Sequence, residues 1–244
     1  MEASKRLSSL YIEPEQPPTG TEPPALELID VFKIFRAGST ETVALRGLNL
    51  TVRPSETVAV VGPSGSGKST MLYLAAAMDV PSAGEIRIGG RSLARFDENE
   101  LARIRGGEIA VVFQSDNLWP TLTARENVAA AVSLAGLDRD PVEAAEEALA
   151  VFGLEGRARN TPDRLSGGEQ QRVAIAAAAA RRPKVVFADE PTGELDAANE
   201  QTVLETLGRL RDRYSAAVVL ITHSPTVAKA CDRVVEIVDG RVIE

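Results

Sequence analysis

The sequence predicts an α/β fold, and three observations carry that prediction. Thr57-Val58-Ala59-Val60-Val61 is a short β-branched apolar run, Gly62 to Thr70 is glycine-rich, and residues 71–78 compose as a helix. Three more apolar runs, at 109–113, 185–188 and 217–222, are too hydrophobic for anything but central strands covered on both faces. Several strands precede the first long helix, which adds an antiparallel β edge to the core.

In chain order, residues 1–24 read as a solvated Pro-rich tail, with Pro14, Pro17, Pro18, Pro23 and Pro24 among Glu, Ser, Thr and Gly. Leu7, Leu10, Tyr11 and Ile12 form a short apolar patch in it, and a disordered end is the expectation. The remainder, 25–244, reads as one folded domain. Residues 26–31 alternate as a strand, 32–36 continue it towards a polar turn at Gly38, and 42–52 make a second strand. Pro54-Ser55 turns the chain into the strand before the glycine loop. After the loop helix, 84–90 alternate and end on paired glycines, and 99–105 read as a short charged helix. From about 115 to 165 the chain turns helical and alanine-rich, near 123–135 and 141–152, and reads as a helical subdomain inserted in the α/β core. Ser166 and Glu169 form a capping box for a helix running to about 182. A helix at 198–214, a strand at 217–222 and a terminal hairpin turning at Asp239-Gly240 complete the order.

Bulk properties narrow the function classes. With 244 residues, 44% hydrophobic and 25% charged, the chain has an ordinary globular composition and enough length for a real core. A net charge of −8 argues against nucleic acid as a partner but not against a nucleotide, which needs only a local positive field. One Cys and one His exclude an internal disulfide and a zinc cluster. The apolar run at 173–180 is bracketed by arginines and falls far short of the roughly 20 residues a membrane span needs. No signal-peptide pattern opens the chain, so the expectation is an intracellular protein that meets a membrane only through another protein.

The loop Gly62-Pro63-Ser64-Gly65-Ser66-Gly67-Lys68-Ser69-Thr70 fits G-x-x-x-x-G-K-[ST] in the strand–loop–helix context that motif requires, so the core is that of a P-loop NTPase. Glycines let the backbone curl its N–H groups towards phosphate oxygens, and the helix dipole adds positive potential. Lys68 is placed for the β- and γ-phosphates, and the Ser69 hydroxyl for magnesium. Gln114, Asp189 with Glu190, and His223 stand at the ends of the other apolar runs, on the rim where open α/β sheets bind ligands. Asp189 reads as a metal-holding acid, and Glu190 is placed to polarise an attacking water.

With Leu165-Ser166-Gly167-Gly168-Glu169-Gln170 added, the chain from about residue 26 to 244 resembles an ATP-binding cassette (ABC) transporter ATPase. A helix start with two glycines offers bare N–H groups to an anion, and the Ser166 hydroxyl adds a donor. The resemblance implies that this signature end, with Glu169 and Asp196, meets the ATP of a second copy in a head-to-tail homodimer around two Mg²⁺-ATP. It implies adenine stacking for Phe35, with Phe32 a competing candidate assigned to the core, metal and water contact for Gln114, and γ-phosphate contact for His223. Residues 114–128 and Glu190-Pro191-Thr192-Gly193 are similar to the group serving macrolide export, lipoprotein release and cell-division permeases. Leu118 and Trp119 stand where that family receives its polytopic permease, against core packing as the rival reading. The resulting expectation is a cytoplasmic ATPase, peripheral on the inner face of the cell membrane, that drives a separate permease. The alternative is an ATPase that transmits force to an extracytoplasmic enzyme without moving cargo. Ala177 stands where relatives commonly carry Arg, which puts the anchoring of the signature helix in question, and Glu194 where relatives often have Asn or a small residue.

Overall fold

The computed structural model describes residues 22–38 and 40–243, so the tail reading lies outside the described residues except at 22–24. Strands β1 (Leu26–Ala37) and β2 (Thr40–Val52) form a long antiparallel hairpin, turned by Gly38 at φ 62°. Beyond β1 lie β4 (Ala83–Ile88) and β5 (Arg91–Ser92), completing an antiparallel sheet in the order β2-β1-β4-β5. The second sheet runs β10 (Arg241–Ile243), β9 (Arg233–Val238), β3 (Thr57–Val61), β8 (Ala217–Ile221), β7 (Val185–Asp189), β6 (Ile109–Val112). Its pairings are parallel except for the terminal β9–β10 hairpin.

The unbroken apolar runs have a direct cause, because both faces of this sheet are covered. Val185 and Phe187 of β7, with Ala217, Val219 and Ile221 of β8, enter one core with the antiparallel sheet and helix α1 (Lys68–Ala75). Their neighbours Val186, Ala188, Val218 and Leu220 enter a second core on the opposite face. That face is covered by α3 (Ala124–Leu134), α4 (Pro141–Val151), α5 (Gly167–Ala180) and α6 (Ala197–Tyr214). Helix α2 (Glu98–Gly107) lies between β5 and β6 and gives Ile104 to the first core. The antiparallel β edge and the α/β core therefore stand as expected.

Helix starts follow local chemistry. Ser166 accepts from Glu169 N–H while the Glu169 carboxylate accepts from Ser166 N–H, the reciprocal box read from the sequence. Asp97 with Glu100 and Thr123 with Glu126 repeat it at α2 and α3. Helix α1 sits three residues earlier than the apolar pattern placed it. Its first turn is the Lys68-Ser69-Thr70 end of the loop, and Ala77 at φ 56° ends the run before 78. The short β5 and helix α7 (Pro225–Lys229), capped by Ser224, have too few residues to show a period.

Candidate functional site

Parallel pairing puts the carboxyl ends of the central strands on one rim. Val60 pairs with Ile221, Ile221 with Asp189, and Ala188 with Val112, so Gly62, His223, Asp189 and Gln114 emerge side by side. These positions are far apart in the chain, and only the strand order brings them together.

The glycine loop is held by close backbone approaches. Gly62 lies at φ 144°, and a Cβ there would fall 2.1 Å from Ile237 O on β9. Gly67 at φ 109° is the N-cap of α1, and its Cβ would lie 2.7 Å from Ala44 O. Lys68 is buried and its Nζ donates to the carbonyls of Gly62 at 2.8 Å and Pro63 at 3.0 Å, which holds the ammonium over the curl of the loop. The Ser66 hydroxyl is buried beneath the loop without a hydrogen-bond partner.

Ser64, Gly65, Lys68, Ser69, Gln114, Asp189, Glu190 and His223 line one cavity of about 680 Å³. Glu190 is a non-glycine residue in the left-handed region, at φ 46°, pinned by its N–H on Ile221 O at 2.9 Å. That backbone turns the carboxylate into the cavity. Glu190 Oε2 accepts from His223 N–H at 3.3 Å, whereas the buried Oε1 has no hydrogen-bond partner and lies 3.4 Å from His223 Nε2. Burial pushes the Asp189 carboxyl above its usual pKa, against the nearby charges of Lys68 and His223. A desolvated carboxylate, a serine hydroxyl and the Gln114 side chain are hard oxygen donors that suit Mg²⁺.

The signature end lies outside this cavity. Gly168 is packed sideways, where a Cβ would fall 2.5 Å from Asn199 Oδ1 at the start of α6, and a Cβ on Gly167 would lie 3.4 Å from Leu195 Cδ2. Asn199 is in turn held by Asp196, whose Oδ1 accepts from the Asn199 backbone N–H at 2.9 Å and side-chain amide at 3.0 Å. Asp196 therefore caps α6 within its own chain. Arg157 Nε donates to Glu169 at 2.6 Å, which leaves the Glu169 carboxylate fully engaged at the helix start.

Residues 45–193 match the family model for the ABC transporter. The chain belongs to the ABC transporter family. It is 43% identical over 219 residues to the lipoprotein-releasing system ATP-binding protein LolD of Geobacter metallireducens, covering 89% of this chain and 97% of that protein. It is 44% identical over 222 residues to the macrolide export ATP-binding/permease protein MacB of Marinobacter nauticus, covering 91% of this chain but only 34% of that protein. The dimeric, ADP- and phosphate-bound structure of the ATP-binding cassette MJ0796 superposes with a TM-score of 0.80 at 38% identity, over 90% of this chain and 97% of the other. The protein is thus an ABC ATPase, the ATP-binding subunit of a transporter, with the fold of that family.

The remaining predicted residues of the cassette lie at its surface. Phe35 is 46% exposed on β1, and Lys33 Nζ sits 5.1 Å from its ring centroid. Phe32 is half-buried against Gly47. Trp119 is 48% exposed, while Leu118 is half-buried against the second core. Sequence reasoning missed Thr192, Gly193, Leu195, Glu200 and Ser224, which also line the large cavity. A Cβ on Gly193 would fall 3.1 Å from Gln114 Nε2, and Gln114 Nε2 donates to Glu194 at 3.4 Å. Glu194 therefore touches Gln114, a contact that no spacing in the sequence announces. Among the described residues no helix is long and apolar enough to cross a membrane.

Proposed function

We propose that two copies of this chain close head to tail around two Mg²⁺-ATP and drive a separate polytopic membrane permease. The observation that carries the reading is the split of the anion-ready parts. Lys68, Ser69, Gln114, Asp189, Glu190 and His223 share one cavity, while Ser166, Gly167 and Gly168 at the signature start of α5 do not line it. Ser166, Gly167 and Gly168 then complete the site of the other copy, as dimeric neighbours support.

In this reading the loop N–H groups and Lys68 bind the β- and γ-phosphates, and Phe35 offers its face to adenine. Ser69, Asp189 and Gln114 hold magnesium, which neutralises charge on the transferring phosphoryl group. Glu190 takes a proton from the attacking water, and its strained backbone with His223 N–H on Oε2 fixes the carboxylate for that task. His223 contacts the γ-phosphate. Most of the acceleration is positioning and electrostatic stabilisation.

The test is Glu190→Gln with Mg²⁺-ATP. Turnover is expected to fall by about a thousandfold while nucleotide binding persists and the protein sediments as a dimer. Undiminished hydrolysis removes Glu190 from its role, and a monomer at every concentration removes the two-copy reading.

Permease docking is placed at Trp119 and Leu118, beside Gln114, and brings the protein to the inner membrane face. Support comes from the exposed indole and from relatives named for lipoprotein release and macrolide export. A tagged chain crosslinked in native membranes is expected to capture one polytopic protein, and Trp119→Glu to lose it. Recovery of soluble partners alone sinks the docking assignment.

A further inference from the structure

Helix α5 carries the signature glycines at its start, and α1 carries Lys68 at its own start. Their far ends are tied together through α2. Arg181, the C-cap of α5, donates from Nη1 to Gly106 O at 3.1 Å and to Arg105 O at 3.4 Å, both in the last turn of α2. Arg105 in turn donates from Nη1 to Ala77 O at 3.0 Å, where the chain leaves α1, and pairs with Glu98 on its own helix. A helix end leaves its last carbonyls without an intrahelical donor, so the Arg181 guanidinium meets acceptors in the last turn of α2 that need one.

This tie runs beside an open space. Ala174, Ala177 and Ala178 give α5 a shallow face, and with Gly106, Trp119 and Leu134 they border a cavity of about 320 Å³ that Arg181 also lines. Arg181 Nε is buried there without a hydrogen-bond partner, and burial lowers the pKa of the guanidinium. Ala177 and Arg181 are one turn apart on the same face of the helix. The anchoring that the absence of Arg at 177 put in question is therefore available from 181.

We propose that Arg181 is a positioning residue for ATP-driven closure. With Arg105 it sets the direction of α5 relative to α1, and so the presentation of Ser166, Gly167 and Gly168 to the ATP of the second copy. The proposal deepens the two-copy reading and rests on it. Lys68 and its cavity lie at the opposite ends of the helices, so ATP binding by a single copy is independent of the tie.

The experiment uses the full chain carrying Glu190→Gln, with Mg²⁺-ATP, in sedimentation equilibrium over a range of protein concentrations. Adding Arg181→Ala is expected to raise the dimer dissociation constant about tenfold. Monomer affinity for fluorescent ATP is expected to stay within about twofold, which reports an intact core. Ala177→Arg on top of Arg181→Ala places a guanidinium in the same cavity and is expected to recover dimerisation. Unchanged dimerisation of the Arg181→Ala protein overturns the proposal. An equal loss of monomer ATP affinity also overturns it, since Arg181 would then stabilise the whole fold. A Glu190→Gln parent that never dimerises overturns the two-copy reading itself, and this proposal with it.

Discussion

Helix α1 begins at Gly67-Lys68 and α5 at Ser166-Gly167-Gly168, and both starts present glycines at a positive helix pole. The glycines do different work. At α1 the conformation demands them, since Gly62 and Gly67 lie at φ 144° and 109° and curl the chain. At α5 both are helical, and the smallness of Gly168 admits Asn199 from the neighbouring segment. The first start lines a cavity with the ends of the central strands, whereas the second lies outside that cavity and is buttressed from the side. A helix start becomes a complete anion site only where the surrounding topology supplies the metal ligands and the base. Elsewhere it is half of one.

That contrast breaks most readily at Lys68. Lys68→Ala is expected to weaken ATP binding by about 30- to 100-fold through loss of charge-assisted hydrogen bonds, read by fluorescent-ATP titration. Unchanged affinity would move phosphate recognition off the loop. The smaller effect sharpens the other side. Gly168→Ala gains about 1 kcal/mol of helix propensity but drives a Cβ to 2.5 Å from Asn199 Oδ1, which costs more. A net fall in Tm of about 3 °C is expected, with monomer ATP affinity unchanged. Adding Asn199→Ala is expected to return Tm to within about 1 °C of the parent. A Gly168→Ala protein as stable as the parent would leave the glycine with a role only towards the second copy.

Legibility varied with the range of the interaction. The loop, the signature box and the polar groups at strand ends were readable because each is a local pattern with a local cause. The start of α1 was misplaced because Lys68, Ser69 and Thr70 carry no apolar periodicity, though they form its first turn. Arg181 gave no signal, since its partners are backbone carbonyls more than 70 residues away in the chain. Glu194 was visible as a departure, but its contact with Gln114 required the turn after β7 to fold over the end of β6.

Residue order alone therefore sets the strands, the capped helices and the chemical kind of each polar strand end, because apolar runs, caps and glycine turns act over a few residues. The tertiary structure decides the rest. The order β10-β9-β3-β8-β7-β6 selects which ends share a cavity, and packing of the start of α6 against α5 buries Gly168 beside Asn199. The physical reason is that hydrogen bonding between parallel strands and steric fit between helices depend on neighbours that the chain meets only after it has folded.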